Sequence, residues 1–344
     1  MVPAHDEARV IDSCVTSLRA QEYPALSLIF VLDRCSDSTA EILRRHAALD
    51  RRIEIIENDF CPPDWAGKCH AAALGAARAD GEFLIFTDAD TRFHPGLVRA
   101  CVAMSVDRGS SLLSLLPRLT TRRRFERVVQ PVASIMLLQL YPAERVEHEE
   151  TPRAFANGQF MLFRRDAYLA IGGHAAVRED LLEDLAFARV IQSRGEKVSL
   201  LIAEEMLEVS MYDSYDAFRR GWRRIFIEAC RRKPSRIRKH ALRLFVIGGV
   251  FPLAQVALLV LAISALPTAA LWPIAAIATV CLAVAAQCAA LGWLYRLLGV
   301  PLVAVAAYPF GAVTIAFLLW QSARDLICRR PIRWAGREYV LEPR

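Results

Sequence analysis

The apolar positions of this chain fall into two regimes. Up to about residue 212, short apolar runs alternate with stretches whose apolar residues recur every three or four positions. The runs at 26–32, 52–57, 82–87 and 111–116 have the length of strands, and a continuous apolar run marks a strand covered on both faces. The periodic stretches at 8–20, 36–49, 70–78 and 95–107 predict helices between them. This alternation predicts an α/β domain built on a parallel, Rossmann-like sheet. Residues 1–4 read as the stub of a first strand, shorter than the about 5–6 residues of a central one, so the natural start is expected upstream. Beyond 116 the pattern changes. Residues 125–141 are aliphatic on nearly every face and read as a groove-lining or interfacial helix, with an internal core helix as the alternative. A strand at 155–163, a helix at 183–193, a strand at 197–202 and a basic amphipathic helix at 215–231 complete this regime.

The second regime holds three apolar stretches, near 244–266, 269–291 and 301–320, each long enough to span a bilayer. Breaks fall at Pro267 and at 296–299. The expected organisation is a soluble domain over 1–212, a basic juxtamembrane helix over 213–241, a transmembrane region of two to four spans over 242–323, and a basic cytoplasmic tail over 324–344. Charge sharpens this picture. The net charge of +6 is concentrated at 219–243, where eleven Arg or Lys meet one acid, Glu228. Such a segment could bind nucleic acid, but no nucleic-acid-binding motif accompanies it, and the cytoplasmic flank of a membrane helix is the better reading. Three spans would put the tail's Arg324, Arg329, Arg330, Arg333 and Arg337 opposite that segment, against the positive-inside rule. The middle stretch, with Pro273, Gln287 and Gly292, is therefore expected to be interfacial, re-entrant or folded into half-spans. The nine cysteines include no C-x-x-C pair and read as reduced thiols.

Candidate chemistry sits where apolar runs end. Asp88-Ala89-Asp90 closes one, and residues i and i+2 of an extended segment face the same way, so both carboxylates can address one divalent cation. The plainer alternative is a capped turn. Asp33 closes another run, where a carboxylate can accept from a base or a ribose hydroxyl. Lys68, in Trp65-Ala66-Gly67-Lys68, is the sole Lys in the first 196 residues and could place a compact ammonium on a diphosphate. Glu183-Asp184 opens a helix, either as a complement to its dipole or with a general base in the pair.

Together these motifs resemble family 2 glycosyltransferases of the GT-A fold over about residues 1–230. The resemblance rests on Pro3-Ala4-His5-Asp6-Glu7, Asp33 with Ser36-Asp37-Ser38-Thr39, Trp65-Ala66-Gly67-Lys68, Asp88-Ala89-Asp90, Asn157-Gly158-Gln159-Phe160, Gly172-Gly173-His174 and Glu183-Asp184. Arg219-Arg220-Gly221-Trp222-Arg223-Arg224 follows at the family's distance, and the Trp65-Ala66-Gly67-Lys68 loop, the apolar helix at 125–141 and the Trp334-Ala335-Gly336-Arg337 tail resemble the membrane-bound, lipid-directed members, such as the hopanoid-associated and carotenoid-acid glycosyltransferases. What the resemblance implies is an inverting transfer of a sugar from a nucleotide-sugar donor, UDP-linked, to a lipid acceptor, with Mg²⁺ or Mn²⁺. It assigns Pro3, Ala4, Glu7, Asp33, Lys68 and Asp88 to the nucleotide sugar, Asp88 and Asp90 to the metal, and Asp184 to the base. Gly158, Gln159, His174 and Glu183 would lie on the acceptor side, and Arg219, Trp222 and Arg223 would face the diphosphate or the membrane surface. The expected setting is the inner membrane, multi-pass, with the catalytic domain in the cytoplasm and no nucleic-acid partner. Processive members carry Gln-x-x-Arg-Trp where this chain has Arg219-Arg220-Gly221-Trp222, which argues against a polysaccharide synthase. The alternatives are a polyprenyl phosphate or a growing glycan as acceptor, or a non-catalytic membrane scaffold keeping the fold.

Overall fold

The computed structural model describes residues 1–146, 148, 153–266, 271–334 and 336–344. The predicted break at Pro267 and Ala335 of the tail motif lie outside these. The chain forms two compact units. The first comprises Met1–Thr120, Leu138–Asp213 and Trp334–Arg337, and the second Thr121–Leu137, Ser214–Arg333 and Glu338–Arg344.

In the first unit, β1 (Val2–Ala4), α1 (Ile11–Arg19), β2 (Leu28–Asp33), α2 (Thr39–Ala47), β3 (Ile53–Asn58), α3 (Gly67–Arg78) and β4 (Phe83–Thr87) alternate as the pattern predicts. β2 is buried at every position because it lies inside a parallel set, β1-β2-β3, and carries helices on its faces. The register sets Ala4 opposite Leu32 and Asp33 opposite Asn58. β1 pairs along all three of its residues, and Met1 joins it to β4: its ammonium donates to Ile85 O at 2.6 Å, and Thr87 N donates to Met1 O at 3.1 Å.

β5 (Thr91–Phe93), α4 (Leu97–Arg108), β6 (Leu112–Leu116) and β7 (Arg118–Leu119) follow. Later in the chain come β8 (Phe160–Arg164), β9 (Val198–Ile202) and β10 (Leu207–Val209). The larger set runs β4-β8-β6-β9, with β8 antiparallel to both neighbours. The sheet is therefore mixed and not parallel throughout, because an apolar run reads the same in either direction. β8 also starts later than expected: Asn157-Gly158-Gln159 is the turn that enters it. Phe30, Leu113, Phe160 and Leu162 are fully buried in the core, each contributing roughly 1.5–3 kcal/mol by leaving water. β5, β10 and β7 form a small third sheet.

The second unit contains three helices long and apolar enough to cross a membrane, Pro234–Ser264, Trp272–Leu297 and Leu302–Ile327. In chain order the helices after α4 are α5 (Arg124–Val128), α6 (Gln130–Leu140), α7 (Arg165–Ala170), α8 (Glu183–Ser193), α9 (Tyr215–Ala229), α10 (Pro234–Phe245), α11 (Phe251–Ser264), α12 (Trp272–Leu297) and α13 (Tyr308–Ile327).

Two expectations change here: the middle apolar stretch does not fold into half-spans, and residues 125–141 are not a free apolar helix. The middle apolar stretch is one unbroken helix, α12, with Gln287 and Gly292 inside it. Pro273 falls in its first turn, where a missing N–H costs nothing. α13 runs antiparallel along α10 and the 246–250 turn that follows it. Gly248 faces Ala312 and Gly249 faces Val313, while Phe245 lies 6.3 Å from Phe317 and 5.5 Å from Trp320. Its last turn meets α9, where Arg223 pairs with buried Asp325 at 3.3 Å, and Arg344 N donates to Arg232 O at 2.9 Å. The basic tail thus returns beside the basic segment.

The second correction concerns residues 125–141. They break at Val129 into α5 and α6, and Val129, Val132, Ala133 and Met136 are buried. Gly311 sits against Val128 O and Val132 Cγ2, and Ile135 packs with Tyr295, Val300 and Ala304. The aliphatic surface is spent on other helices of its own unit, so this is a core helix and not an interfacial one.

Candidate active site

The first unit gathers carboxylates at the carboxyl ends of β1, β2 and β4, and the start of α8 brings up two more, Glu183 and Asp184, beside the turn before β8. Asp33 is buried at the end of β2 and already engaged. Arg34 grips it with Nε at 3.0 Å and Nη2 at 2.6 Å, and Asn58 Nδ2 donates at 2.9 Å from the facing end of β3. Asn58 escapes the motif reading. Its signal was a polar residue closing an apolar strand in register with Asp33.

Pro3 and Ala4 end β1 beside this carboxylate, opposite Val31 and Leu32. His5 Nδ1 lies 2.6 Å from Asp33 O. Asp6 adopts φ 55°, and its carboxylate accepts from Ser36 N at 2.6 Å and Asp37 N at 3.2 Å, tying the two strand-end loops together. Glu7 N donates to Thr39 Oγ1 at 2.9 Å. Burial, then Asp90 and Asp88, push the Glu7 carboxyl up to about 8, so Glu7 sits in the field of the Asp-x-Asp pair.

Asp88 and Asp90 follow β4. Ser210 N donates to Asp90 O at 3.1 Å, and Thr91 Oγ1 donates to Asp88 O at 2.7 Å, which fixes this backbone. Burial and then Asp88 push Asp90 up to about 7. Asp90 Oδ1 is buried with no hydrogen-bond partner among the described residues. A carboxylate oxygen held out of water and left unsatisfied fits a cation ligand. No set of three carboxylate, His or Cys ligands converges among the described residues. The pair would supply one or two ligands, as is usual for Mg²⁺ or Mn²⁺ completed by phosphate oxygens and water.

Lys68, in the first turn of α3, bridges the two halves of the cluster. Its Nζ lies 2.6 Å from Asp88 Oδ1 and 2.6 Å from Glu183 Oε1. Burial works against this ammonium, but the two carboxylates outweigh it and hold the group above its ordinary value. Likewise burial raises Glu183, and Lys68 more than reverses that, leaving its carboxyl below its ordinary value. Lys68 was expected on a diphosphate; here both its ion pairs are to protein.

Asp184 Oδ2 accepts from Gly158 N at 2.8 Å, and its carboxyl is raised to about 6 by burial and then by Glu183. A Cβ on Gly158 would stand 3.1 Å from Glu183 Oε1, 3.1 Å from Lys68 Nζ and 3.3 Å from Asp184 Oδ2. Only glycine lets three charged groups close on that turn. Gln159 is buried beside it, its Oε1 accepting from Asn157 Nδ2 at 3.1 Å, while Thr87 Oγ1 donates to Gln159 O at 2.7 Å.

His174 does not face an acceptor. It is 2% exposed, sandwiched against Phe86 and Phe187 at ring distances of 4.6 and 4.8 Å, with Nδ1 2.8 Å from Tyr168 Oη. Burial drives it down to about 3, so it is a neutral core imidazole. Arg219, Trp222 and Arg223 lie on α9, in the second unit. Arg219 is exposed, Trp222 is buried, and Arg223 is engaged by Asp325. Trp222 therefore presents no face to a diphosphate or a membrane, and the Arg223 charge is answered inside its own unit.

Acidic residues thus gather at the strand ends of an α/β unit, where open sheets bind their ligands. The description "Glycosyl transferase family 2" matches residues 1–172, and the chain belongs to that family. Among solved structures, the mannosyltransferase PcManGT from Pyrobaculum calidifontis, in complex with GDP-Man and Mn²⁺, is similar over 94% of this chain and 85% of its own, with 18% identity and a TM-score of 0.52. TarS of S. aureus, residues 1–349, is similar over 66% of this chain, with 14% identity and a TM-score of 0.46. The chain spans 64% of that TarS chain. Glucosyl-3-phosphoglycerate synthase from Mycobacterium tuberculosis is similar over 67% of this chain and 78% of its own, with 15% identity and a TM-score of 0.45. No curated protein matches the chain.

Proposed function

We propose that this glycosyltransferase moves a sugar, with inversion, from a UDP-linked nucleotide sugar to a hydroxyl or carboxyl of a lipid at the membrane. The observation that carries the reading is the Lys68 bridge. It places a donor-type carboxylate pair, Asp88 and Asp90, and a base-type pair, Glu183 and Asp184, on two sides of one ammonium.

Asp33, with Pro3, Ala4 and Glu7 beside it, is suited to the nucleoside end of the donor. The archaeal mannosyltransferase was captured with GDP-Man and Mn²⁺, and the orphaned Asp90 oxygen supports a divalent metal of the same class here. Bound there, held by Asp90 and Asp88, Mg²⁺ or Mn²⁺ would stabilise the charge that grows on the leaving diphosphate. Asp184 is suited to take the proton of the acceptor. Its raised affinity for protons matches that task, and Gly158 N orients the oxygen that does not. Glu183, pinned by Lys68, keeps a negative charge beside Asp184 and sustains its basicity. Gly158 and Gln159 border the acceptor side.

The membrane part of the reading rests on the three apolar helices. We assign the crossing to the α11–α12 hairpin and an interfacial course to α13, which leaves 219–243 and 324–344 on the cytoplasmic face of the inner membrane together with the catalytic unit. This removes the conflict with the positive-inside rule.

Two variants test the separation of roles. Asp184→Asn is nearly isosteric but takes no proton, and it should lower turnover about 10²–10⁴-fold while nucleotide-sugar binding stays near wild type. Asp90→Ala should instead weaken metal-dependent donor binding. Wild-type turnover in Asp184→Asn would end the assignment.

A further inference from the structure

After the apolar helices, the chain returns to the first unit for only a few residues, Trp334–Arg337. Trp334 ends β11 (Ile332–Trp334) and Arg337 opens β12 (Arg337–Tyr339), and the two strands pair. Arg337 Nη1 donates to Trp65 O at 2.6 Å and to Pro62 O at 3.2 Å, and lies 3.1 Å from Cys61 Sγ. The loop it grips contains Pro62 and Pro63, which have no N–H to give, and closes on itself through Trp65 N, which donates to Pro62 O at 3.1 Å. That loop enters α3 one residue before Lys68.

On the other side, Gly336 adopts φ +71°, and a Cβ there would meet His5 Nε2 at 3.2 Å. His5 in turn holds Asp33 O through Nδ1. Trp65 stacks edge-on to His70 at 5.5 Å, and His70 Nδ1 lies 3.4 Å from the Asn58 amide that donates to Asp33. The tail therefore touches both loops that frame Asp33, one through a guanidinium and one through a glycine that has neither the φ nor the space for a side chain. One guanidinium nitrogen, Nη1, donates to both carbonyls, and the long Arg337 side chain carries it into the loop.

We propose that Trp334–Arg337 is a strap that shapes the nucleoside end of the donor site, with Arg337 as a positioning residue for donor affinity. This rests on the reading of Asp33 as the nucleoside end. Arg337 touches no reacting atom, so its loss should act on donor binding and not on chemistry.

The full-length protein in detergent is assayed as wild type, Arg337→Lys and Arg337→Ala. The Ala variant should raise donor KM about tenfold or more with kcat within about twofold, and Lys should fall between. N-ethylmaleimide should alkylate buried Cys61 faster in the Ala variant, read by peptide mass spectrometry. Wild type gives a check that needs no variant to fold: UDP with Mn²⁺ should slow both Cys61 alkylation and trypsin cleavage after Arg337. Donor KM unchanged in Arg337→Ala, or bound UDP that protects neither Cys61 nor Arg337, overturns the strap alone. Failure of the wild type to bind UDP or GDP in equilibrium dialysis overturns the donor reading as well, so the two failures are distinct.

Discussion

At the scale of single residues, this site is a balance of burial against pairing. Asp184 is raised to about 6 by burial and by the neighbouring Glu183 charge. A base works unprotonated, so kcat should rise with pH through about 6 and level off above it. Glu183→Gln removes the like charge and should move that limb to lower pH; a limb that stays put or moves up contradicts the pairing. His174 gives a stability prediction of opposite character. Its folded imidazole stays neutral down to about 3, while the unfolded one takes a proton near its ordinary 6.5. Between those values the unfolded chain binds more protons, so stability falls as pH drops through the window, by at most about 1.4 kcal/mol per pH unit. His174→Gln should flatten that slope in thermal unfolding, and an unchanged slope would place the titrating group elsewhere. The acidic residues were legible because each closes an apolar run. What each touches was not: the histidine of Gly172-Gly173-His174 reads the same whether it meets solvent or, as here, the rings of Phe86, Phe187 and Tyr168.

At the scale of elements, runs and periods located β2, β3, β4, β6 and the helices between them. The same signal failed on direction and cover. The apolar content of 160–164 marks a strand but not its antiparallel sense, and the aliphatic wealth of α6 does not say what lies over it. Helix contacts carry their own test. A Cβ on Gly248 would stand 2.1 Å from Ala312 Cβ, so Gly248→Ala should destabilise the helix pair by about 1–3 kcal/mol, the cost of overpacking. Ala312→Gly in the same chain should restore much of it. A silent Gly248→Ala, measured by thermal unfolding in detergent, would refute the antiparallel packing of α10 and the 246–250 turn on α13.

At the scale of the whole molecule, hydropathy located the three apolar helices but could not say which of them lies along a neighbour. Composition sees α12 and α13 as equally apolar; the small residues that seat α13 on its neighbour are visible only in three dimensions. The topology proposed above places exposed Cys328 on the cytoplasmic side. An impermeant thiol reagent should therefore leave it unlabelled in intact cells and label it in inverted vesicles, and labelling from outside would make α13 a third span. The central claim is metal-dependent sugar transfer to lipid. The most direct measurement incubates membranes containing the wild type or Asp184→Asn with a panel of radiolabelled nucleotide sugars and Mn²⁺, followed by lipid extraction and scintillation counting. Label from one UDP-sugar should enter the lipid fraction with wild type, disappear with EDTA, and fall about 10²–10⁴-fold with Asp184→Asn. Label that enters only soluble products, or lipid labelling indifferent to both EDTA and Asp184, would contradict the account.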